Sequence, residues 1–192
     1  MKPLNEQLHS TLSSLINAMR ISRRLAESSK STRRKVGAIL YDEKFNTCGG
    51  SCNQISPCIE GCDVLEDENG KTKPEVIHAE IGALLNNVYS GPKTLVVTCA
   101  PCMYCAAIVA QRQYKINTVV FSETYRNLDG LPILLKANID VLYLCEATDS
   151  LFRVHKNQEG EYVCVLIVGG STEHYFVLTA DSKGDPRPIP AK

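Results

Sequence analysis

Four residues could do chemistry together: His78, Glu80, Cys102 and Cys105. One imidazole and two thiols can hold a zinc ion and leave its fourth position open for water, the ligand set of a catalytic site. Zinc can lower the pKa of such a water from about 16 toward roughly 7. Glu80 stands two residues from the imidazole, placed to move protons rather than to bind metal. Cys102 and Cys105 are three apart, so they share one face of a helical turn. Orphan N–H groups and the helix dipole favour thiolate there. Hydrolytic removal of a ring amine needs such a pair, an activated water and a carboxylate that carries its proton to the ring nitrogen and the leaving amine. The other reading of the same residues is a closed zinc module, with three thiolates and an imidazole or with four thiolates, that only stabilises the fold. Its fourth ligand could come from Cys48, Cys52, Cys58 or Cys62, spaced C-x3-C-x5-C-x3-C. Those four thiols could also hold a second, structural zinc of their own.

The elements that must position these residues follow from periodicity. Leu8, Leu12, Leu15, Ile16, Met19 and Leu25 recur at helical spacing and predict an amphipathic helix over 4–28. Strands are predicted at Val36–Tyr41 and Thr47–Ser51, then a long polar, Cys-rich loop over 52–74 with a turn at 67–70. A helix at 76–88, a strand at Thr94–Thr98 and a helix over 101–113 with Pro101 in its first turn come next. The strand Thr118–Phe121, the helix Leu131–Lys136 and the strand Val141–Leu144 complete an α/β alternation with a mixed sheet. Tyr162–Val168 and His174–Thr179 read as a hairpin around Gly169-Gly170, and the proline-bearing 181–192 as a disordered tail. The domain reading is therefore 1–145, a hairpin extension over 146–180, and the tail.

Composition narrows the classes. Lys+Arg and Asp+Glu balance at 21 each, so no global basic field argues for wrapping nucleic acid, and a small-molecule substrate fits better. Apolar runs are too short to cross a bilayer, and the first residues lack a secretory signal, which predicts a cytoplasmic protein, in the host cytoplasm if viral. Nine cysteines without export read as metal chemistry in a reducing compartment. Cys99, Cys145 and Cys164 fall in strands and read as inert core residues.

The order H-x-E…P-C-x-x-C is the known signature of zinc deaminases, and over residues 10–145 the chain resembles the cytidine and deoxycytidylate deaminase superfamily. Within it the likeness is to bacterial and phage dCMP deaminases. It rests on Lys35–Ile39, Ser51-Cys52-Asn53, Val76–Glu80, Thr98–Ala106, Glu123–Arg126 and Leu134–Val141. The resemblance implies a three-layer α/β/α fold around a mixed five-stranded sheet, with the C-terminal β-hairpin appended. It implies conversion of dCMP to dUMP with release of ammonia, supplying deoxyuridylate for dTMP synthesis. It also implies homo-oligomers, often hexamers, and dCTP and dTTP as effectors. By the same resemblance Asn53 binds the sugar and phosphate side, the backbone of Ala79 and Ala100 reads the cytosine edge, and Val36 packs on the base. Tyr125 would enclose the deoxynucleotide and Arg126 contact its phosphate. The basic run Lys30, Arg33, Arg34, Lys35 reads as a solvated face that near a pocket could attract phosphate. Some relatives carry a second zinc near the Cys-rich loop.

The chain departs from its relatives in two places. Many have Asn where this chain has Gly82, and Gly-Tyr-Asn-Gly where it has Ser51-Cys52-Asn53-Gln54. Two alternatives stay open: a deaminase of another substrate (free base, nucleoside, dCTP or tRNA adenosine), and a zinc-stabilised binding module without turnover.

Overall fold

The computed structural model describes residues 4–56, 58–59, 64–125, 127–171, 174–179 and 187–188. Its strands are β1 (Gly37–Tyr41), β2 (Thr47–Cys52), β3 (Gln54–Ile55), β4 (Val76–Ile77), β5 (Lys93–Cys99), β6 (Ile116–Glu123), β7 (Asp140–Cys145), β8 (Ser150–Lys156), β9 (Tyr162–Val168), β10 (Tyr175–Leu178) and β11 (Arg187–Pro188). All but β3 and β4, which pair with each other, lie in one sheet ordered β2-β1-β5-β6-β7-β8-β9-β10-β11. Strands β5, β6 and β7 run parallel, and the remaining neighbours are antiparallel.

Alternation along the parallel strands sorts the core into two faces. Val96, Val120 and Leu142 face α1 (Leu4–Glu27), which presents Leu12, Leu15, Ala18 and Met19 to them. Leu95, Val97, Val119, Phe121 and Val141 face the other way, against α2 (Ala79–Leu85), α3 (Met103–Val109) and α4 (Leu131–Lys136). The result is the expected three-layer, cytidine-deaminase-like α/β/α arrangement. Helix α1 comes so close to β1 that a Cβ at Gly37 would collide with the Ser22 carbonyl and lie 2.7 Å from the Ala26 nitrogen, so glycine is required there.

The five expected strands are present side by side, but the sheet does not stop at five. Strand β8 pairs antiparallel with β7, Leu142 opposite Arg153, and carries the sheet on to β9 and β10. The predicted hairpin is β9 with β10. Its neighbour β8 is not marked by periodicity, because Arg153, His155 and Lys156 interrupt its apolar residues. Phe152 and Phe176 pack on Tyr143, which packs on Phe121, so one core runs unbroken across residue 145. The tail expected over 181–192 lies outside the described residues, save for Arg187–Pro188, which pair with Phe176 and Val177.

Two helices are shorter than their periodicity suggests. Val76 and Ile77 pair with Gln54 and Ile55 as strand, which delays α2 to Ala79. Helix α3 starts at Met103 with Cys102 as its N-cap, so Pro101 precedes the helix rather than opening it.

Candidate active site

The turns that enter α2 and α3 bring the two half-motifs together. His78 is the N-cap of α2 and Glu80 lies in its first turn, while Cys102 is the N-cap of α3 and Cys105 sits in that helix's first turn. His78 Nδ1 lies 3.6 Å from Cys102 Sγ and 3.3 Å from Cys105 Sγ. One donor atom from each of the three lies within 4.8 Å of the others, and among the described residues no other trio of His, Cys, Asp or Glu gathers this way. Tetrahedral zinc with bonds of about 2.0–2.3 Å to nitrogen and sulfur fits donors spaced so. Three protein donors, with no fourth among the described residues, suit an open site rather than a closed structural one.

Electrostatics favour a thiolate at Cys102 and a thiol at Cys105. Hydrogen bonding to Cys105, then to His78, pulls the Cys102 thiol down to about 4 against the opposing effect of burial. Cys105, which donates to Cys102 and sits near Glu80, is pushed up. The His78 imidazole is raised, chiefly by its bond to Cys102 and further by Glu80. Glu80 is only 4 % exposed. Burial, ahead of every other effect, lifts its carboxyl above the ordinary range. A carboxyl so raised can hold and release a proton nearer neutral pH, which suits a proton carrier.

His78, Glu80 and Cys102 line the floor of a cavity of about 260 Å³. Val36, Asn53, Ala79, Ala100 and Tyr125 line it, so the structure brings these five expected substrate contacts to one place. Arg126 lies outside the described residues. Asn53 is partly engaged already: its Oδ1 accepts from the Val36 N–H at 2.8 Å, and its Nδ2 donates to the Arg34 carbonyl at 3.0 Å. Each amide atom keeps one further bonding direction for a ligand. The Ala100 N–H donates to the Glu123 carbonyl at 2.8 Å, so of its backbone only the carbonyl is left to face a base.

Lys30, Arg33 and Lys35 of the basic run are exposed, as its composition suggests, and Arg34 is the exception. Arg34 turns inward, donating from Nη1 to Cys99 Sγ and to the Thr124 carbonyl, both at 2.8 Å, and its guanidinium lies 5.9 Å from the Tyr125 ring centroid. Arg33 stays exposed and lines the cavity. Cys99 is buried as expected but is not plain core, because it lines the same cavity beside Arg34. Burial pushes its thiol up to about 12, so it stays protonated. Glu66 and Ser31, unmentioned by any motif, complete the wall. The signal for them is spatial: both are polar and buried.

A second metal site finds no support among the described residues. Cys48 and Cys52 are buried in β2, Cys58 is exposed, and the three do not converge; Cys62 lies outside the described residues. A bulge in β2 between the partners of Leu40 and Tyr41 separates Cys48 from the regular register.

Comparisons with known proteins agree with this geometry. Among solved structures, the dCMP deaminase of cyanophage S-TIM5 in complex with dCMP and dUMP superposes with a TM-score of 0.61 at 26 % identity, over 74 % of this chain and 98 % of that one. Its apo form gives 0.58 at 22 %, over 67 % and 95 %. The Thermotoga maritima diaminohydroxyphosphoribosylaminopyrimidine deaminase/5-amino-6-(5-phosphoribosylamino)uracil reductase shares the fold, with a TM-score of 0.52 at 18 % identity over 69 % of this chain and 37 % of that one. No curated protein matches the chain. The model of the cytidine and deoxycytidylate deaminase zinc-binding region matches residues 12–123, more than half of the sequence, and the chain belongs to that family.

Proposed function

We propose that this chain hydrolyses dCMP to dUMP and ammonia. The observation that carries the reading is one cavity whose floor holds His78, Glu80 and Cys102, and whose walls hold Val36, Asn53 and Tyr125, with exposed Arg33 beside them. A flat heteroaromatic ring with hydrogen-bonding edges, a sugar and a phosphate would find matching groups among them. The likeness to the phage dCMP deaminase, over nearly the whole of that protein, supports the same substrate.

In this reading His78, Cys102 and Cys105 hold zinc, which when bound supplies Lewis acidity that lowers the pKa of water toward about 7. Glu80 takes the proton that the attacking water gives up and delivers it to N3 of the ring. It then takes the second proton from the new C4 hydroxyl and passes it to the departing amine as the carbonyl forms and the C–N bond breaks, so that cytosine plus water becomes uracil plus ammonia. Tyr125 covers the bound nucleotide, and Asn53 offers its remaining amide directions to the sugar side. The exposed Leu85, Val88 and Tyr104 on and beside α2 and α3 support a homo-oligomer, and dCTP and dTTP are the effectors to test. Among the described residues no helix is long and apolar enough to cross a membrane.

Ammonia release from dCMP, dCTP, deoxycytidine, cytosine and adenosine in RNA tests the proposal. Turnover of dCMP above the others supports it. Turnover of adenosine alone overturns the substrate, and no turnover by zinc-loaded protein favours a binding module.

A further inference from the structure

Glu66 sits in the Cys-rich insertion, yet it is only 6 % exposed and lines the active-site cavity. The insertion is folded to present it. Glu66 bridges Thr72, Asp67 N–H donates to the Lys71 carbonyl at 2.8 Å, and Lys73 N–H donates to the Leu65 carbonyl at 2.9 Å. Leu65, buried at 3 % exposure, anchors that small hairpin. Asp67 Oδ1 closes its tip by accepting from the N–H groups of Asn69 and Lys71.

The carboxylate meets the turn just before β1. Ser31 Oγ donates to it at 2.5 Å, Thr32 Oγ1 at 3.0 Å and the Thr32 N–H at 3.1 Å. Ser31 Oγ in turn accepts from the N–H groups of Arg33 at 3.3 Å and Arg34 at 3.2 Å. A chain of hydrogen bonds therefore runs from Glu66 through Ser31 to the backbone that sets where Arg33 stands. Burying a carboxylate is costly unless it is fully hydrogen-bonded, and an apolar contact would fasten a loop at least as well. A charged clamp at the cavity wall, one residue from the exposed Arg33, points to ligand placement.

We infer that Glu66 is a positioning residue for the substrate's phosphate: it fixes the Ser31–Arg33 turn so that the Arg33 guanidinium meets a phosphate monoester at the cavity. This rests on the proposed nucleotide substrate. It gives the insertion a task in recognition and separates phosphate binding from the chemistry at His78 and Glu80.

The test uses full-length, zinc-loaded protein with dCMP as substrate, and dUMP or deoxyuridine as inhibitor. Glu66→Gln is expected to raise KM for dCMP and weaken inhibition by dUMP by about tenfold, the scale of a lost charged hydrogen bond. Its kcat, zinc content and inhibition by deoxyuridine should hold within about twofold of wild type. Thr32→Val, at an exposed position, removes one donor without unburying the carboxylate and should move the same values in the same direction by less; Glu66→Asp should recover part of the loss. Unchanged dUMP inhibition in both Glu66→Gln and Thr32→Val overturns the inference. So does equal weakening of dUMP and deoxyuridine, a fall in kcat alone, or tighter dUMP binding, which would make Glu66 a repelling charge. Wild type that releases no ammonia from dCMP overturns the substrate reading instead, whereas active wild type with unmoved variants overturns this inference only.

Discussion

Gly82 and Ser51 occupy one space between them. A Cβ on Gly82 would collide with Ser51 Oγ and lie 2.6 Å from Ser51 Cβ, so the helix that carries Glu80 can lie against β2 only because residue 82 has no side chain. Many of the relatives this chain resembles have asparagine on the helix, and glycine is usual at the strand position. The two departures are therefore one exchange, with the bulk moved from α2 to β2. Gly82→Asn or Gly82→Ala alone is expected to destabilise by roughly 1–3 kcal/mol through overpacking. Adding Ser51→Gly should return most of it. A denaturant double-mutant cycle reads the coupling, and additive effects would show that the two residues do not share the space.

The metal centre separates binding from turnover. His78→Ala or Cys102→Ala removes one of three donors and should lose zinc, measured as metal per chain after dialysis. Glu80→Gln keeps all three donors and should keep the zinc, while ammonia release falls by about 10²–10⁴-fold, the range of general acid–base catalysis. Wild-type turnover by Glu80→Gln would remove Glu80 from the mechanism.

What was legible in the sequence was whatever depends on near neighbours. Spacing of one, two or three residues placed His78, Glu80, Cys102 and Cys105 at helix starts, and the apolar run Tyr162–Val168 marked β9 to the residue. What stayed hidden depends on distant partners. Arg34 belongs by composition to a solvated basic run, but its acceptors lie 65 and 90 residues away. Glu66 reads as one acid in a polar loop, and its donors lie 35 and 34 residues upstream. Strand β8 alternates weakly and carries three exposed polar residues, so only its pairing with β7 identifies it.

Arg34 is expected to act on substrate affinity through Tyr125. It ties the turn before β1 to the Thr124 carbonyl and lies over the Tyr125 ring, so both cavity walls depend on one planar guanidinium. Arg34→Lys keeps the charge but not the planar guanidinium that lies over Tyr125 while its Nη1 reaches Cys99 and Thr124. KM for dCMP should rise several-fold with a smaller change in kcat, measured by initial rates. A fall in kcat at constant KM would place Arg34 with the chemistry instead.

Acid should weaken the fold through two carboxylates. Burial alone would raise Glu146, but hydrogen bonds from Arg23 and Ser122 outweigh it and hold it below the ordinary range; against the same effect of burial, Ser31 and Thr32 do this for Glu66. A carboxyl depressed in the folded state stabilises it above its unfolded pKa, about 4.3 for Glu, and that contribution is lost as pH falls through the folded value. Thermal midpoints should therefore hold near neutral pH and drop below about pH 4.3. Arg23 also pairs with Glu123, joining α1 to the ends of β6 and β7. Both side chains of the Arg23–Glu146 pair are over a third exposed, at 38 % and 37 %, so Arg23→Met should cost no more than about 1 kcal/mol at pH 7. The same variant should flatten the acid limb, because Glu146 would lose the hydrogen bond and charge of Arg23 that do most to hold it low.

The strands beyond residue 145 are expected to be necessary for the deaminase core rather than separable from it. Phe152 and Phe176 stand edge to face at 4.9 Å, and both pack on Tyr143 of β7. Deletion after Glu146 would expose that ring and turn β7 into a free edge, a template for pairing with other chains. The truncated chain should give little soluble protein, with loss of metal and turnover together. Phe152→Ala tests the same packing in the full chain without opening an edge, and should cost about 3–5 kcal/mol by cavity formation. Its zinc content should be retained under conditions where it stays folded, because the ligands sit at the starts of α2 and α3, not on the strands it loosens. A truncated chain that folds, binds zinc and deaminates like the full protein would show that β8, β9 and β10 are an independent appendage despite the shared sheet.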